Sequence, residues 1–396
     1  MPSSIWRHYL FWMLATMLAT VGLCGAFNAF IDPLGIFGSP RISGLNATKP
    51  YLDHHRDLTR WEATRQLCPT AGIFGNSRAE IGFDPEHPAF EQLGLVAFNH
   101  AIPGTSINTA LRQLRWLQDI GCSPKVIILG VEFFDFLGSP PAPSTASPLP
   151  AAPRIDATVL GETVFSVTAL RDSVTTIAIQ YNRYPATLTS RGFNPLLNYI
   201  PEVERNGHYA LFRQRAIENL KNWSKKSPYI YPAEGKRSVD HAGLEAFLHS
   251  ATESRSTVHL VIYPYHGQLR LMMERADLGQ IFSDWKALIL KAANQTPAGT
   301  NAVKVWDFSR LNATTMEPIP APNDRRTQLA HYWEAGHFKK ALGDQLLDQI
   351  LLDHPGFGIV LDQASLTAYL EEDQVQTQEA LRQPSPLTRE VDSLFD

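Results

Sequence analysis

Residues 105–130, TSINTALRQLRWLQDIGCSPKVIILG, decide the fold class. Ile107, Ala110, Leu111, Leu114 and Leu117 recur at helical spacing, which gives one apolar helix face. Residues 125–130 (KVIILG) are then apolar without alternation, the pattern of a strand buried on both faces of a parallel sheet. Working outward, four more runs have strand character: 71–74 (AGIF), 95–98 (LVAF), 258–264 (VHLVIYP) and 302–308 (AVKVWDF). Helical patterns cover 53–66, 270–294 and 338–352. Strand, helix and strand joined by short links read as βαβ. Five strands alternating with helices predict an α/β fold with a doubly wound parallel sheet.

Ligands of such sheets bind outside the carboxyl ends of the strands. The chemistry-bearing residues fall there. Ser77 follows the first run, Gly104 the second, and Glu132 and Asp135 the third; His266 follows the fourth and Asp307 lies in the fifth.

The middle of the chain reads differently. Residues 138–153 (GSPPAPSTASPLPAAP) form a Pro/Ala/Ser-rich loop. Residues 154–250 carry helical patterns and aromatic clusters without strand alternation, which predicts a helical insertion or cap. The tail from Gln383 is expected to be mobile.

At the N-terminus, residues 9–31 (YLFWMLATMLATVGLCGAFNAFI) form 23 residues without charge. At about 1.5 Å per residue they span a bilayer core of about 30 Å. Arg7 precedes this run and Asp32 follows it, so the N-terminus stays in the cytoplasm and the body lies outside. A signal peptide cut near Cys24-Gly25-Ala26 is the alternative reading, and it also puts the body outside. The domain plan is therefore a 1–32 anchor, 33–137 and 256–353 as two parts of one α/β domain, 138–255 as loop and insertion, and 354–396 as a C-terminal extension.

Across the 396 residues, 44% are apolar and 19% charged, ordinary for a globular core; the net charge of −4, with no basic stripe, argues against nucleic acid as a partner. No zinc motif, P-loop or dinucleotide fingerprint is present, so no metal or cofactor is expected.

Two short blocks carry chemistry. In Gly75-Asn76-Ser77-Arg78, a serine just past a buried strand and beside a glycine has an exposed hydroxyl, as a nucleophile needs. The same position suits a helix N-cap. The block is not the Gly-x-Ser-x-Gly elbow, because position 79 is Ala. In Tyr332-Trp333-Glu334-Ala335-Gly336-His337, a histidine lies three residues after a carboxylate. An acid that orients the imidazole makes it a competent general base.

Together these blocks resemble the SGNH/GDSL hydrolase superfamily. Its nucleophile block is similar to Gly75-Asn76-Ser77 and its terminal Asp-x-x-His block to Glu334-x-x-His337, while its oxyanion-hole glycine corresponds to Gly104. The resemblance is closest to a bacterial membrane-anchored branch, similar to alginate acetylation and D-alanine transfer proteins. That branch has an Ile-Asp-Pro-x-Gly-x-Phe segment, as in residues 31–37 here, and an Asp-Phe-Ser stretch, as in Asp307-Phe308-Ser309. The resemblance covers roughly residues 31–137 and 256–352. It implies a flavodoxin-like sheet and a catalytic set of Ser77, His337 and Glu334.

Two departures stand out. The family's Gly-x-Asn-Asp block reads Gly130-Val131-Glu132-Phe133 here, without the asparagine that completes the oxyanion hole. The Ser77 and Gly104 N–H groups and the Asn108 side chain are the candidate replacements. Glu334 also stands where the family has Asp, with Asp307 as a backup orienter. Arg78 is read as either an anion contact or a structural ion pair, and His266 as a substrate contact.

The resemblance implies a serine esterase or O-acyltransferase acting on acyl esters of an envelope or secreted polysaccharide. A membrane-bound acyltransferase is its expected partner. The alternative is a non-catalytic SGNH-like scaffold or glycan-binding component. Finally, Cys68 and Cys122 each lie three residues before a strand start. In strand order 2-1-3-4-5 those strands are neighbours, and an oxidising compartment favours a disulfide between them.

Overall fold

The computed structural model describes residues 3–50, 55–143, 150–231, 237–296 and 303–396. Residues 144–149 of the Pro-rich stretch, and Asp53 and Ala302 at the edges of two expected elements, lie outside them. The chain runs through α1 (Ser3–Ile31), β1 (Ala71–Phe74), α2 (Ser77–Gly82), β2 (Ala97–Asn99), α3 (Ile107–Asp119) and β3 (Val126–Val131). Next come α4 (Ala157–Val164), α5 (Val167–Ile179), α6 (His208–Trp223), α7 (Val239–Glu253), β4 (Thr257–Ile262), α8 (Gly267–Arg275), α9 (Gly279–Asn294) and β5 (Val303–Asp307). It closes with β6 (Tyr332–Glu334), β7 (His337–Phe338), α10 (Lys340–Leu352), β8 (Ile359–Val360), α11 (Leu366–Arg382) and α12 (Pro386–Asp392).

The protein is a mixed α/β fold with a central six-stranded sheet, several helices and one N-terminal apolar helix. The sheet order is β8-β5-β4-β3-β1-β2. The first five strands are parallel in the order 2-1-3-4-5, and β8 adds antiparallel to β5 at one edge. Register aligns Phe74 with Leu129, Val131 with Ile262 and Ile262 with Asp307, so the carboxyl ends share one edge. The central strands β3 and β4 are buried on both faces, as their unbroken apolar runs require. Cys68 and Cys122, just before β1 and β3, are disulfide-bonded with their Cα atoms 5.1 Å apart.

Two compact units emerge. One comprises residues 1–66, 152–190 and 196–198; the other comprises 67–151, 191–195 and 199–396 and contains the sheet. This division cuts across the expected domain plan, for local reasons. Residues 33–66 fasten to the end of α1: Lys49 Nζ donates to Ile31 O at 2.8 Å, and Asn46 Nδ2 to the same carbonyl at 3.3 Å. Asp32 turns the chain out of α1 by accepting the Ile36 and Phe37 N–H groups at 2.9 and 3.2 Å. That explains the Ile-Asp-Pro-x-Gly-x-Phe segment as a helix-ending turn, with Gly35 at φ +70°. Residues 199–255 of the expected insertion go with the sheet, where α7 packs on α3 as the crossover helix between β3 and β4.

The C-terminal segment corrects another expectation. Beyond Gln383 the chain forms α12, capped by Ser385 and Thr388, and Glu390 ties it to Tyr209 (2.6 Å) and Arg213 (2.7 Å). Such side-chain bonds hold a terminus that composition alone reads as mobile.

Candidate active site

The Ser77 turn is built by packing. Gly75 has φ +145°, and a Cβ there would come within 2.5 Å of the Tyr263 Oη and 3.0 Å of the Ala79 Cβ. Only glycine fits both the backbone angle and the space. Asn76 then caps α2 by accepting the Arg78 N–H at 3.1 Å. Ser77 is the first residue of α2, so its N–H has no partner within the helix.

His337 comes from the β6–β7 hairpin. Ala335 and Gly336 form its turn, and Glu334 pairs directly with His337 across it. Three contacts fix the hairpin. The Tyr332 hydroxyl donates to Pro264 O (3.0 Å), the His266 N–H donates to Ala335 O (3.2 Å), and the Phe338 ring packs edge-on against Phe83 beside α2. His337 Nε2 then lies 2.8 Å from Ser77 Oγ, and its Nδ1 bonds Glu334 Oε1.

Glu334 is fully buried and also accepts the Gly336 N–H at 2.7 Å. Arg215 Nε from α6 lies 3.6 Å from Oε1. Burial alone would raise this carboxyl. The charge and hydrogen bond of His337, with Arg215 and the Gly336 N–H, outweigh burial and bring it down to about 2. An ionised Glu334 only accepts, so the Nδ1 of His337 carries its proton and Nε2 is free to take the serine proton. Ser77, His337 and Glu334 thus form a continuous hydrogen-bonded chain next to the carboxyl end of β1.

No protein-family model and no curated protein matches the chain.

The structure sorts the other candidates. Gly104 sits in an exposed turn at φ +71°, on a loop fastened to the Ser77 turn by the Ile102 N–H to Gly75 O bond (3.2 Å). Thr105 and Ser106 of that loop line a cavity of about 10 Å³ with Gly75, Asn76, Glu132 and Asp135, room for about one water. Asn108 is not an oxyanion donor: its amide donates to Asp240 Oδ1 at 3.2 Å, on α7. Arg78 takes the structural role, paired with Glu132, which also accepts the Tyr265 hydroxyl at 2.8 Å. Thus Glu132 is ion-paired with the residue that follows Ser77.

Two candidates are corrected outright. His266 caps α8, accepting the Gln268 N–H at 3.1 Å on Nδ1, while Nε2 meets Glu317 O at 2.8 Å. Burial lowers it to about 4, so it is a neutral structural imidazole with both nitrogens engaged. Asp307 cannot serve as backup orienter. Its Oδ1 accepts the Ser309 N–H and hydroxyl at 2.8 and 2.7 Å, and its Oδ2 takes Lys286 Nζ (2.7 Å) and the Tyr369 hydroxyl (2.9 Å).

Sequence reasoning missed Arg215, Tyr263 and Tyr265. Arg215 lies in a helix with no strand-end signal. The tyrosines had one, being aromatic residues at the carboxyl end of β4. Asp135 is also notable: burial first, then Glu132 and Asp240, push its carboxyl up to about 8. Among the described residues no group of His, Cys, Asp and Glu could hold a metal ion.

Proposed function

We propose that this chain is a membrane-anchored serine esterase or O-acyltransferase with an SGNH-type fold, acting outside the cytoplasm on acyl esters of an envelope or secreted polysaccharide. The observation that carries this reading is the 2.8 Å contact between His337 Nε2 and Ser77 Oγ, with ionised Glu334 behind the imidazole. The 2-1-3-4-5 order of the parallel strands supports the fold assignment. A helix long and apolar enough to cross a membrane supports the anchor.

In this mechanism the Ser77 Oγ–H bond gives its proton to His337 Nε2 as Oγ bonds the acyl carbonyl carbon. We assign the resulting oxyanion to the Ser77 and Gly104 N–H groups. The ester C–O bond then breaks and the leaving alkoxide takes the proton from His337, which leaves an acyl-serine. Water or a sugar hydroxyl attacks that ester, with His337 again as base; the first makes an esterase and the second a transferase. A membrane-bound acyltransferase is the proposed donor-side partner.

One observation favours the non-catalytic reading: Glu132, ion-paired with Arg78, stands where the superfamily has its oxyanion asparagine. A fluorophosphonate probe discriminates between the two. Labelling of wild type and none of Ser77→Ala supports catalysis. Equal labelling of both, or of neither under conditions that label a control serine hydrolase, supports the scaffold.

A further inference from the structure

Helix α5 has inverted polarity. On α5 the buried residues include Asp172, Ser173 and Thr176, while Val167 is 85% and Val174 55% exposed, with Leu170 between them. Val167, Leu170 and Val174 stand at i, i+3 and i+7, one helix face. Phe165, at the turn between α4 and α5, is 53% exposed. Arg171, 70% exposed, stands beside this face and is ion-paired with Asp172 at 3.3 Å. A surface helix in water shows the opposite arrangement, apolar inward and polar outward.

The polar side of α5 is turned to α1. Asn28 Nδ2 donates to Val164 O at 2.7 Å, and the Ser173 hydroxyl donates to Asn28 Oδ1 at 2.8 Å. The Phe165 ring lies on Gly25, where a Cβ would approach it to 2.5 Å. Residues 4–23 of α1 carry no buried position, whereas Gly25, Asn28 and Ile31 are buried. About 20 residues counted from Tyr9 fill a bilayer core of about 30 Å and end near Asn28. The α4–α5 turn, against Gly25, is therefore about one helical turn inside that limit.

From this geometry we infer that α4–α5 is a membrane-embedded hairpin whose tip, Phe165 and Val167, dips into the outer leaflet beside the anchor. The inference rests on the anchor reading of α1. The occupant of the apolar face is lipid. Continuity with α1 argues for it, because Phe165 at the tip of the face lies directly on Gly25, within the anchor's apolar run. Arg171 beside a mostly apolar face fits the headgroup level, where a long basic side chain reaches out to water. Direction follows from the contacts: Val164 and Ser173 meet Asn28, and Gln180 meets Thr48 through its Nε2 to O bond at 2.6 Å. So α5 climbs out of the leaflet from Val167 towards Tyr181, and depth falls along it.

The test uses the full chain in phosphatidylcholine vesicles, in a Cys24→Ala background. Single Met17→Cys, Val167→Cys, Val174→Cys and Tyr181→Cys variants carry an environment-sensitive fluorophore, quenched by lipids with nitroxide on the acyl chain. All four side chains are exposed, so the label displaces no packing. Expected are strong quenching at 17, strong at 167, weaker at 174 and none at 181. Quenching at 17 with a water-like, unquenched label at 167 overturns the hairpin and leaves the anchor standing. A blue-shifted but unquenched label at 167 overturns it too, by showing protein instead of lipid on the face. No quenching at 17 removes the anchor reading and this inference with it.

Discussion

Glu334→Gln is the sharpest test of the site. The carboxylate satisfies two donors at once, the His337 Nδ1–H and the Gly336 N–H, the latter at 2.7 Å. An amide has one acceptor oxygen. If that oxygen faces His337, the NH2 group meets the Gly336 N–H, donor against donor. If it faces Gly336, the NH2 meets Nδ1, and the imidazole must move its proton to Nε2. It can then no longer accept the Ser77 proton. Glu334 is 1% exposed, so water cannot repair either mismatch. The first arrangement costs about 1–3 kcal/mol for a buried unsatisfied donor. The second abolishes the base, and the same change at the orienting acid of a serine protease triad costs about 10⁴-fold in kcat. We therefore expect acyl-ester kcat to fall by about 10³–10⁴, with fluorophosphonate labelling of Ser77 slowed in parallel. Stability gives a second readout. The Glu334 carboxyl lies at about 2 against an ordinary 4.5, so its stabilisation is complete above pH 4.5 and is lost as pH falls towards 2. That difference corresponds to about 3 kcal/mol. Urea unfolding between those pH values should show a decline that is smaller by about that amount in Glu334→Gln than in wild type, the remainder coming from carboxylates such as Asp373 that both proteins share. Turnover within about tenfold of wild type, with Ser77→Ala inactive, would refute the orienting role.

Two further predictions concern the scaffold. The Cys68–Cys122 bond closes a loop across a sequence separation of 54, worth about 4 kcal/mol on the chain-entropy model. Cys68→Ala/Cys122→Ala should lower the urea midpoint accordingly, and free alkylation of both thiols in native protein would contradict the bond itself. Asp373 holds Lys286 at 2.7 Å and Arg270 at 3.1 Å inside the fold, so Asp373→Asn leaves a buried cation short of its partner and should cost about 3 kcal/mol or more. A loss under about 1 kcal/mol would show the cluster to be relaxed and hydrated.

Much of the sheet was legible because buried parallel strands write themselves as unbroken apolar runs. Residues 71–74, 125–130 and 302–308 correspond to β1, β3 and β5 within a residue or two. The pairing of Cys68 with Cys122 was legible for the same reason, since strand starts fix their positions. The Glu-x-x-His block showed the right residues but not the mechanism of their meeting. A two-residue turn places Glu334 directly across from His337, which explains how the longer glutamate reaches the imidazole. The place of Tyr263 at a strand end was legible, but not its contact with the Ser77 turn. Its ring needs the room left by Gly75, a contact between residues far apart in sequence.

Asp307 shows why the rest could not be read. At the carboxyl end of a strand, an aspartate beside an expected active site has the credentials of an orienting acid. Its role is decided by Lys286 on α9 and by Asp373 and Tyr369 on α11, none of which carries a local signal. Two carboxylates share one buried ammonium there, and Arg270 supplies the second positive charge. The group balances only when α11 is docked, so the C-terminal extension completes the domain's charge balance. The site residues announce themselves through short spacing because chemistry needs a turn and a hairpin. The groups that hold those elements still are chosen by three-dimensional neighbours, and a carboxylate is identical in sequence whether it orients a histidine or neutralises a lysine. Burial and partners alone separate the two, and for Asp307 both point to the lysine.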